Sequence, residues 1–147
     1  MRKRKPIPKW RSGCPLNASV EMLGDRWSLL IIRDMMLLGL RTFKEFLRSY
    51  EGIATNILAD RLRKLEAFGI IRTERDPSDG RKLICLLTPK GIDLAPVLTE
   101  MVLWAGRHEK TRNHALIRRM QKDKQKFLAQ IRRCWAQNKG APTAPRS

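Results

Sequence analysis

Residues 52–74 read GIATNILADRLRKLEAFGIIRTE, and the first two thirds of this stretch have the pattern of an amphipathic helix. Leucines recur there at intervals of four and three residues, which places them on one face of a helix predicted over residues 54–68. Gly69 follows this pattern directly and indicates the end of the helix. The apolar stripe consists of Leu58, Leu62 and Leu65.

After Gly69 the sequence pattern becomes extended. Residues 70–75 and 82–87 flank a segment, 76–81, that is rich in turn-forming residues, which predicts a two-stranded hairpin. Side chains alternate between the two faces of a strand, so every second residue of 82–87 should face inward. The residues expected on this inward face are Leu83, Cys85 and Leu87.

A short helix, 43–49, is predicted upstream of the long one. Thr42 and Glu45 have the spacing of a capping box, in which each side chain accepts a hydrogen bond from the other residue's amide. A tight connection over 50–53 joins the two helices. The apolar positions of the short helix are Phe43, Phe46 and Leu47.

Further helices are predicted on both sides of this unit. The pattern is helical over 17–38 with a break at Asp25, which can cap the second part, and Gly39 ends it. Thr88-Pro89 starts a helix that runs to about residue 106, and another helix is predicted over 114–137. Their apolar positions are Trp27, Leu30, Ile31 and Met35; Leu94, Val97, Leu98, Met101 and Trp104; and Ile117, Met120, Phe127, Leu128, Ile131 and Trp135.

Positive charge is concentrated at the two ends of the chain. The net charge is +17, of which residues 1–13 carry +6 and residues 107–147 carry +10. We therefore expect a flexible basic arm over 1–13, a folded domain over 14–110, and a basic helical extension over 111–147 with a frayed tail. This distribution favours a polyanionic partner that is held partly by the ends.

The order of short helix, tight turn, helix and hairpin is that of a winged helix-turn-helix, a mainly α fold with a small β-hairpin wing. In this arrangement the second helix enters the major groove of duplex DNA and the wing reaches phosphates or the neighbouring minor groove. Asn56 on the outward face could pair with adenine and Arg63 with guanine. The other candidate contacts are Arg41, Lys44, Arg48, Thr55, Ala59, Asp60, Lys64, Arg75, Arg81 and Lys82.

Among these candidates, phosphate contacts are expected for Arg41, Lys44, Arg48 and Thr55. Asp60 could accept a hydrogen bond from cytosine or pair with Lys64 four residues later, and we favour the pairing.

Other classes of function find less support in the sequence. A basic RNA-binding or nucleoid-associated protein is the main alternative, but its aromatic residues would have to be exposed for stacking, whereas here they fall on predicted core faces. No set of catalytic residues is recognisable, so we expect no enzyme and no cofactor. The histidines and cysteines lack metal-ligand spacing, so we expect no metal site. No secretory signal or membrane span is evident, and three scattered cysteines suit the cytoplasm.

Several motifs resemble the HxlR-type family of bacterial winged helix regulators. They are Cys14-Pro15, GDRWSLLIIRDMMLLG (24–39), RTFKEF (41–46), the stretch 52–74, LTPKG (87–91), and LAPVL followed by Trp104. The resemblance implies a homodimer in which the N-terminal and post-wing helices pack between subunits. It also implies repression or activation of transcription near the protein's own gene.

The resemblance assigns a role to one cysteine. Several family members sense electrophiles or oxidants through a cysteine at the position of Cys14, so a redox or small-molecule effector is implied. A helix N-terminus with Lys9 and Arg11 nearby would favour its thiolate. The alternative is a structural thiol at the dimer contact. Cys85 is expected to be inert inside the hairpin, and the sequence assigns no role to Cys134.

Overall fold

The predicted segments appear as eight α-helices and one β-hairpin in the computed structural model, which describes residues 10–49 and 51–138. The predicted arm before residue 10 and the frayed tail after residue 138 lie outside the described residues. A π-helical turn, Asp34–Leu38, directly continues the second helix. The elements are α1 (Pro15–Leu23), α2 (Ser28–Arg33), α3 (Phe43–Leu47), α4 (Thr55–Ala67), β1 (Ile71–Asp76), β2 (Asp79–Leu87), α5 (Pro89–Ile92), α6 (Ala95–His108), α7 (His114–Lys122) and α8 (Lys124–Asn138).

Asp25 and Gly39 set the two ends of the α2 segment, as predicted. Asp25 Oδ1 accepts hydrogen bonds from the amides of Trp27 (2.8 Å) and Ser28 (2.9 Å), which otherwise have no partner at the start of a helix. Gly39, after the π-helical turn, has a φ of 64°, a left-handed conformation that glycine adopts without strain. The break at residue 25 and the stop at residue 39 are thus local backbone effects.

One hydrophobic core joins the helix-turn-helix, the hairpin and the C-terminal helices. Leu58 and Leu65 of α4 are fully buried in it, and Leu62 packs against its edge. Because Met120, Phe127 and Ile131 belong to the same cluster, α7 and α8 fold onto the domain. The predicted apolar positions Phe43, Phe46, Leu47, Ile117, Leu128 and Trp135 also lie in this core or against it.

The helix predicted over 114–137 is two helices, because Asp123 interrupts it. Asp123 has an extended backbone (φ −156°, ψ 90°), and its carboxylate accepts a hydrogen bond from the Lys126 amide (2.9 Å). It therefore caps α8, and this local capping outweighs the continuous helical pattern. Trp135 on α8 donates its indole N–H to the Leu87 carbonyl (2.9 Å), which ties α8 to the hairpin. Within the described part of the chain, no helix is both long and apolar enough to cross a membrane.

The helix predicted from Pro89 to about residue 106 is also divided. Thr88 caps its start as predicted, since its hydroxyl accepts a hydrogen bond from the Gly91 amide (3.2 Å). In a continuous helix, the ring of Pro96 would clash with the carbonyl of Ile92 four residues earlier. The chain therefore ends α5 at Ile92 and begins α6 at Ala95, where Pro96 occupies the first turn.

The hairpin is longer and tighter than predicted. Only Pro77 and Ser78 separate the antiparallel strands, which pair from Ile71 opposite Leu87 to Asp76 opposite Asp79. The prediction that 76–81 is a linker was wrong. The turn consists of two residues only, and the other four residues of this segment belong to the two strands.

Leu83 was predicted to lie on the inward face of β2, and this prediction was wrong. This side chain is 58% exposed, because the outer half of the hairpin extends away from the core. Leu86, which alternation would place outward, is buried instead. It lines the same cavity as Ile131 and Trp135, so the face that the pattern assigned to solvent borders a cavity shared with α8. Cys85 and Leu87 are buried as predicted.

Candidate nucleic-acid interface

Helices α3 and α4 form a helix-turn-helix whose first helix begins at the predicted capping box. Thr42 accepts a hydrogen bond from the Glu45 amide (3.2 Å), and Glu45 Oε2 accepts one from the Thr42 amide (2.9 Å). Gly52 in the connection has a φ of 72°, which few residues other than glycine adopt. Phe46 of α3 is buried in the core, which fixes the short helix next to α4.

The polar face of α4 is exposed to solvent. Leu58 and Leu65 point into the core, and Asn56 and Arg63 lie on the opposite side. The Arg63 side chain is 71% exposed, and its ion pair is a long one of 3.7 Å to Asp60. This face can therefore enter a DNA groove without any rearrangement of the protein's own core.

The predicted pair between Asp60 and Lys64 is replaced by other ion pairs. Asp60 contacts Arg61 at 2.5 Å and Arg63 at 3.7 Å, whereas Lys64 Nζ lies 3.5 Å from Asp25 Oδ2. The carboxylate of Asp25 is held beside α4 by its capping bonds, and it attracts the lysine that would otherwise face Asp60. Lys64 thus braces α4 against α2, which leaves Arg63 as the freer cation of this face.

Asp25 is the centre of a polar cluster that fixes α4 to α2. Besides capping α2 and contacting Lys64, its carboxylate accepts a hydrogen bond from the Ser28 hydroxyl (2.5 Å). It also forms an ion pair with Arg61 Nε (3.0 Å). Partial burial raises the pKa of the Asp25 carboxyl, but the bonds from Ser28 and Trp27 and the charge of Arg61 outweigh it and lower the pKa to about 2.

This shift predicts a pH-dependent stability for the domain. The ordinary pKa is 3.8, so the unfolded state binds the proton more tightly and the stabilisation is lost as pH falls from about 4 to about 2. Asp25→Asn should lower the free energy of unfolding at pH 7 by about 2 kcal/mol, and the difference from the wild type should vanish near pH 2. Urea titrations of both proteins at several pH values measure this difference in the free energy of unfolding.

Asp93→Asn is the matched control for this prediction. Asp93 pairs with Arg132 (2.7 Å) but is 66% exposed, so its loss should change stability little. An Asp25→Asn penalty of the same size at pH 2 and pH 7 would show that the charge of Asp25 does not contribute.

The wing tip is a turn held by one carboxylate. Asp76 Oδ1 accepts hydrogen bonds from the Ser78 amide (2.9 Å) and the Ser78 hydroxyl (2.8 Å). These two bonds hold the turn and lower the pKa of Asp76. Asp76 therefore stabilises the turn, which explains why an acidic residue lies in a segment whose basic side chains suit contact with phosphates.

Three basic side chains surround this turn. Arg75 donates to the Gly80 carbonyl (2.7 Å), and Lys82 lies 3.9 Å from Asp79 in a weak, exposed pair. Arg81 is exposed as well. The tip thus presents three cations, the charge that a wing needs for contact with phosphates.

Arg41 does not lie where a phosphate contact would need it. The residue is buried, and its guanidinium donates to the carbonyl of Asn138 at the end of α8. Its backbone is held too, by Glu45 Oε2 (2.7 Å) and by the Cys85 amide (2.8 Å). Burial lowers the pKa of Arg41, and the nearby carboxylates of Asp76 and Glu45 counter the shift. The expectation of a phosphate contact is corrected, since the C-terminal helix covers this side chain.

The remaining candidate DNA contacts lie on α3 and α4 or directly beside them. Three of them are exposed: Lys44 in the first turn of α3, Arg48 directly after α3, and Thr55 at the start of α4. Ala59 is half-buried on α4. Phosphate contacts by the three exposed residues stay a prediction.

Sequence reasoning missed two residues that support α4. Trp10 stacks on Phe68, with ring centroids 5.7 Å apart, and so packs against the C-terminal end of α4. Arg61 is the second: it belongs to the bracing cluster and not to the exposed face. An isolated tryptophan in a basic segment was a signal for the first contact, whereas nothing in the sequence distinguished Arg61 from its basic neighbours.

The cysteines differ in accessibility. Cys14 is exposed directly before α1, with Pro15 as the first helical residue. Cys85 is buried, and burial raises the pKa of its thiol, which fits the expected inertness. Cys134 is exposed on α8. Among the described residues, no group of three or more His, Cys, Asp or Glu side chains could hold a metal ion.

Comparison with known proteins identifies the family. The model of the HxlR-like helix-turn-helix family matches residues 22–113, which is more than half of the chain. The HTH-type transcriptional regulator YodB of Bacillus subtilis is 38% identical over 93 residues, covering 63% of this chain and 82% of YodB.

Solved structures agree with this match. The reduced form of YodB gives a TM-score of 0.56 at 34% identity and covers 69% of this chain and all of that chain. The oxidised form of the redox regulator HypR gives 0.58 at 28% identity, covering 67% of this chain and all of that chain. The motifs, the fold and these matches lead to one conclusion: the chain belongs to the HxlR-like helix-turn-helix family.

Proposed function

We propose that this protein is a transcription regulator that binds duplex DNA in a sequence-specific way, with α4 in the major groove and the β1–β2 hairpin as the wing. The observation that carries the proposal is the exposed polar face of α4, with Asn56 and Arg63 opposite buried Leu58 and Leu65. Asparagine and arginine can each form two hydrogen bonds to a base edge, to adenine and guanine respectively. The relatives named as transcriptional regulators support the same function.

The alternative of an RNA-binding or nucleoid-associated protein fits the structure less well. RNA-binding modules present aromatic side chains on a surface where bases stack. Here Phe46 is buried, and Trp27, Phe43 and Phe68 are partly buried against the same core. The basic ends instead supply sequence-independent contacts to DNA phosphates, in the cytoplasm where a bacterial chromosome lies.

We further propose a homodimer whose contact includes one face of α6. Val97, Met101 and Trp104 recur at helical spacing there, and each is about half exposed, as is Val20 on α1. Clustered exposed apolar side chains of this size are typical of protein–protein contacts. A dimer would present two copies of α4 to the two halves of a pseudo-palindromic site.

A salt-titrated binding assay tests the proposed function. The full chain is titrated against the duplex upstream of its own gene, an unrelated duplex of equal length, and single-stranded RNA. A regulator retains a large preference for its own duplex as salt rises, because base contacts depend less on salt than phosphate contacts do. Equal loss of affinity for all three nucleic acids would support the nucleoid-associated alternative.

We also propose that Cys14 makes DNA binding sensitive to oxidants. Cys14 is exposed at the start of α1, and the similar protein HypR is a redox regulator whose structure is known in the oxidised form. Two Cys14 thiols, one from each subunit, would form a disulfide and give up two protons and two electrons to the oxidant.

The expected result is that diamide, a thiol oxidant, changes operator affinity in the wild type and in Cys134→Ser but not in Cys14→Ser. Non-reducing gels should show a linked dimer only where Cys14 is present. Since Cys134 is the other exposed thiol of the described residues, its substitution is the matched control. A response that disappears with Cys134 and persists without Cys14 would contradict the assignment.

A further inference from the structure

A large open cleft lies between the π-helical turn, α6 and the two C-terminal helices, on residues that the DNA-binding proposal does not use. Its volume is about 780 Å³. Its floor is apolar and its rim carries arginines. We call it the C-terminal cleft, and the side chains that define it here are Leu37, Leu116, Phe127, Arg33, Arg112 and Arg119.

Two backbone features keep this cleft open. The π-helical turn Asp34–Leu38 places three consecutive side chains, those of residues 36–38, along one wall. Such turns are rare and are frequent at functional sites. On the other side, the extended backbone of Asp123 separates α7 from α8, and residues of both helices line the cleft.

Close packing at one point fixes α7 against α6. A Cβ atom added to Gly106 would lie 2.9 Å from Ile117 Cδ1, closer than packed atoms approach. Glycine thus lets α7 seat directly on α6 beside the cleft, which Ile117 also lines. The walls are set by the packed core, so the cleft is largely pre-formed, as small-molecule sites usually are.

The charge of the rim is positive. Three arginines line the cleft against one carboxylate, that of Glu51, which Arg33 neutralises at 3.0 Å. Arg119 lies over the Phe127 ring, 5.5 Å from its centroid, and so joins the rim to the apolar floor. Arg112 is exposed. Two positive charges, those of Arg112 and Arg119, are left without a carboxylate among the lining residues.

We propose that the C-terminal cleft binds an amphipathic organic anion: a molecule with an apolar body on the Leu116–Phe127 floor and a carboxylate or similar group near Arg112 and Arg119. The volume lies within the range of roughly 300–1,000 Å³ common for small-molecule sites. A purely apolar ligand would leave the arginines unused, and a cation would be repelled by them. The site is separate from the DNA-binding face and does not depend on it.

The first test fills the cleft. The probe is 8-anilinonaphthalene-1-sulfonate, an aromatic anion whose fluorescence rises in apolar sites, titrated into the full-length protein. Ala115 lines the cleft and is exposed, so Ala115→Trp should occupy the space and weaken probe binding by at least about tenfold. Ala129→Trp, at an exposed position of α8 outside the lining, should leave binding unchanged. Circular dichroism confirms that both variants fold.

The second test removes the charge. The double variant Arg112→Gln/Arg119→Gln should weaken the probe by about fivefold, whereas Arg118→Gln, an exposed arginine of α7 outside the cleft, should not. Dodecanoate should displace the probe better than uncharged dodecanol does. Binding that persists in Ala115→Trp would place the probe elsewhere and overturn the proposal, and so would equal displacement by the acid and the alcohol. Neither readout involves DNA, so failure here leaves the proposed function standing.

Discussion

We expect Arg63→Ala to weaken binding to the operator duplex by about tenfold or more and to leave the thermal unfolding midpoint nearly unchanged. A bidentate arginine–guanine contact contributes about 1–3 kcal/mol of discrimination, and a dimer would lose it in both half-sites. The folded protein loses little, because the side chain is 71% exposed and its ion pair with Asp60 is long. Fluorescence anisotropy with a labelled operator and an unrelated duplex measures both affinities.

Arg133→Ala is the matched control for this change. Arg133 is an exposed arginine on α8, so its substitution removes the same charge far from α4 in the chain. It should weaken operator and unrelated duplex by the same small factor and leave their ratio intact. If Arg63→Ala also left the ratio intact, Arg63 would contact phosphate and not a base.

The second large effect is expected at the exposed face of α6. Met101→Asp/Trp104→Asp should convert the proposed dimer to a monomer, because two acidic side chains per subunit would then meet across an apolar contact. Light scattering should change from twice 17.1 kDa to 17.1 kDa. Operator affinity should fall by at least about a hundredfold, since each monomer can contact only one half-site.

Gln125→Asp/Ala129→Asp controls for the added charge. Both positions are exposed on α8, so this variant carries the same number of new carboxylates outside the proposed contact. It should remain a dimer and keep most of its operator affinity. A Met101→Asp/Trp104→Asp variant that stays dimeric would exclude this face of α6 from the subunit contact.

The helix-turn-helix and the class of its partner were predictable from the sequence because local signals determine them. The leucine stripe of α4, the Thr42–Glu45 capping box and the left-handed Gly39 each act within one or two turns of chain. The change of period at Gly69 marked the start of the hairpin. These features fixed which face of α4 is buried, and the candidate base contacts follow from that face.

Features that depend on distant packing were not predictable in this way. Arg41 was predicted to be an exposed cation, but α8 covers it. Leu86 was predicted to face solvent, but it is buried and lines a cavity together with residues of α8. Lys64 was assigned to a neighbour on its own helix, whereas the capped carboxylate of Asp25 attracts it from α2. In each case the deciding partner lies more than thirty residues away in sequence.

The C-terminal helices explain most of these differences. Sequence analysis separated 111–147 from the domain because of its charge, yet Phe127 and Ile131 of α8 lie in the common core. Charged residues cover the outer side of these helices and apolar ones the inner side. The extension is thus part of the folded unit as far as the structure describes it, and it creates the C-terminal cleft.

Methylation protection by dimethyl sulfate tests most directly whether α4 lies in the major groove. The reagent methylates guanine N7 in the major groove and adenine N3 in the minor groove of the operator. We predict that the wild-type protein protects at least one guanine N7 in each half-site of the proposed dimer's operator and that Arg63→Ala restores its methylation. Protection confined to adenine N3, or guanine protection unchanged in Arg63→Ala, would contradict the assignment of α4 as the recognition helix.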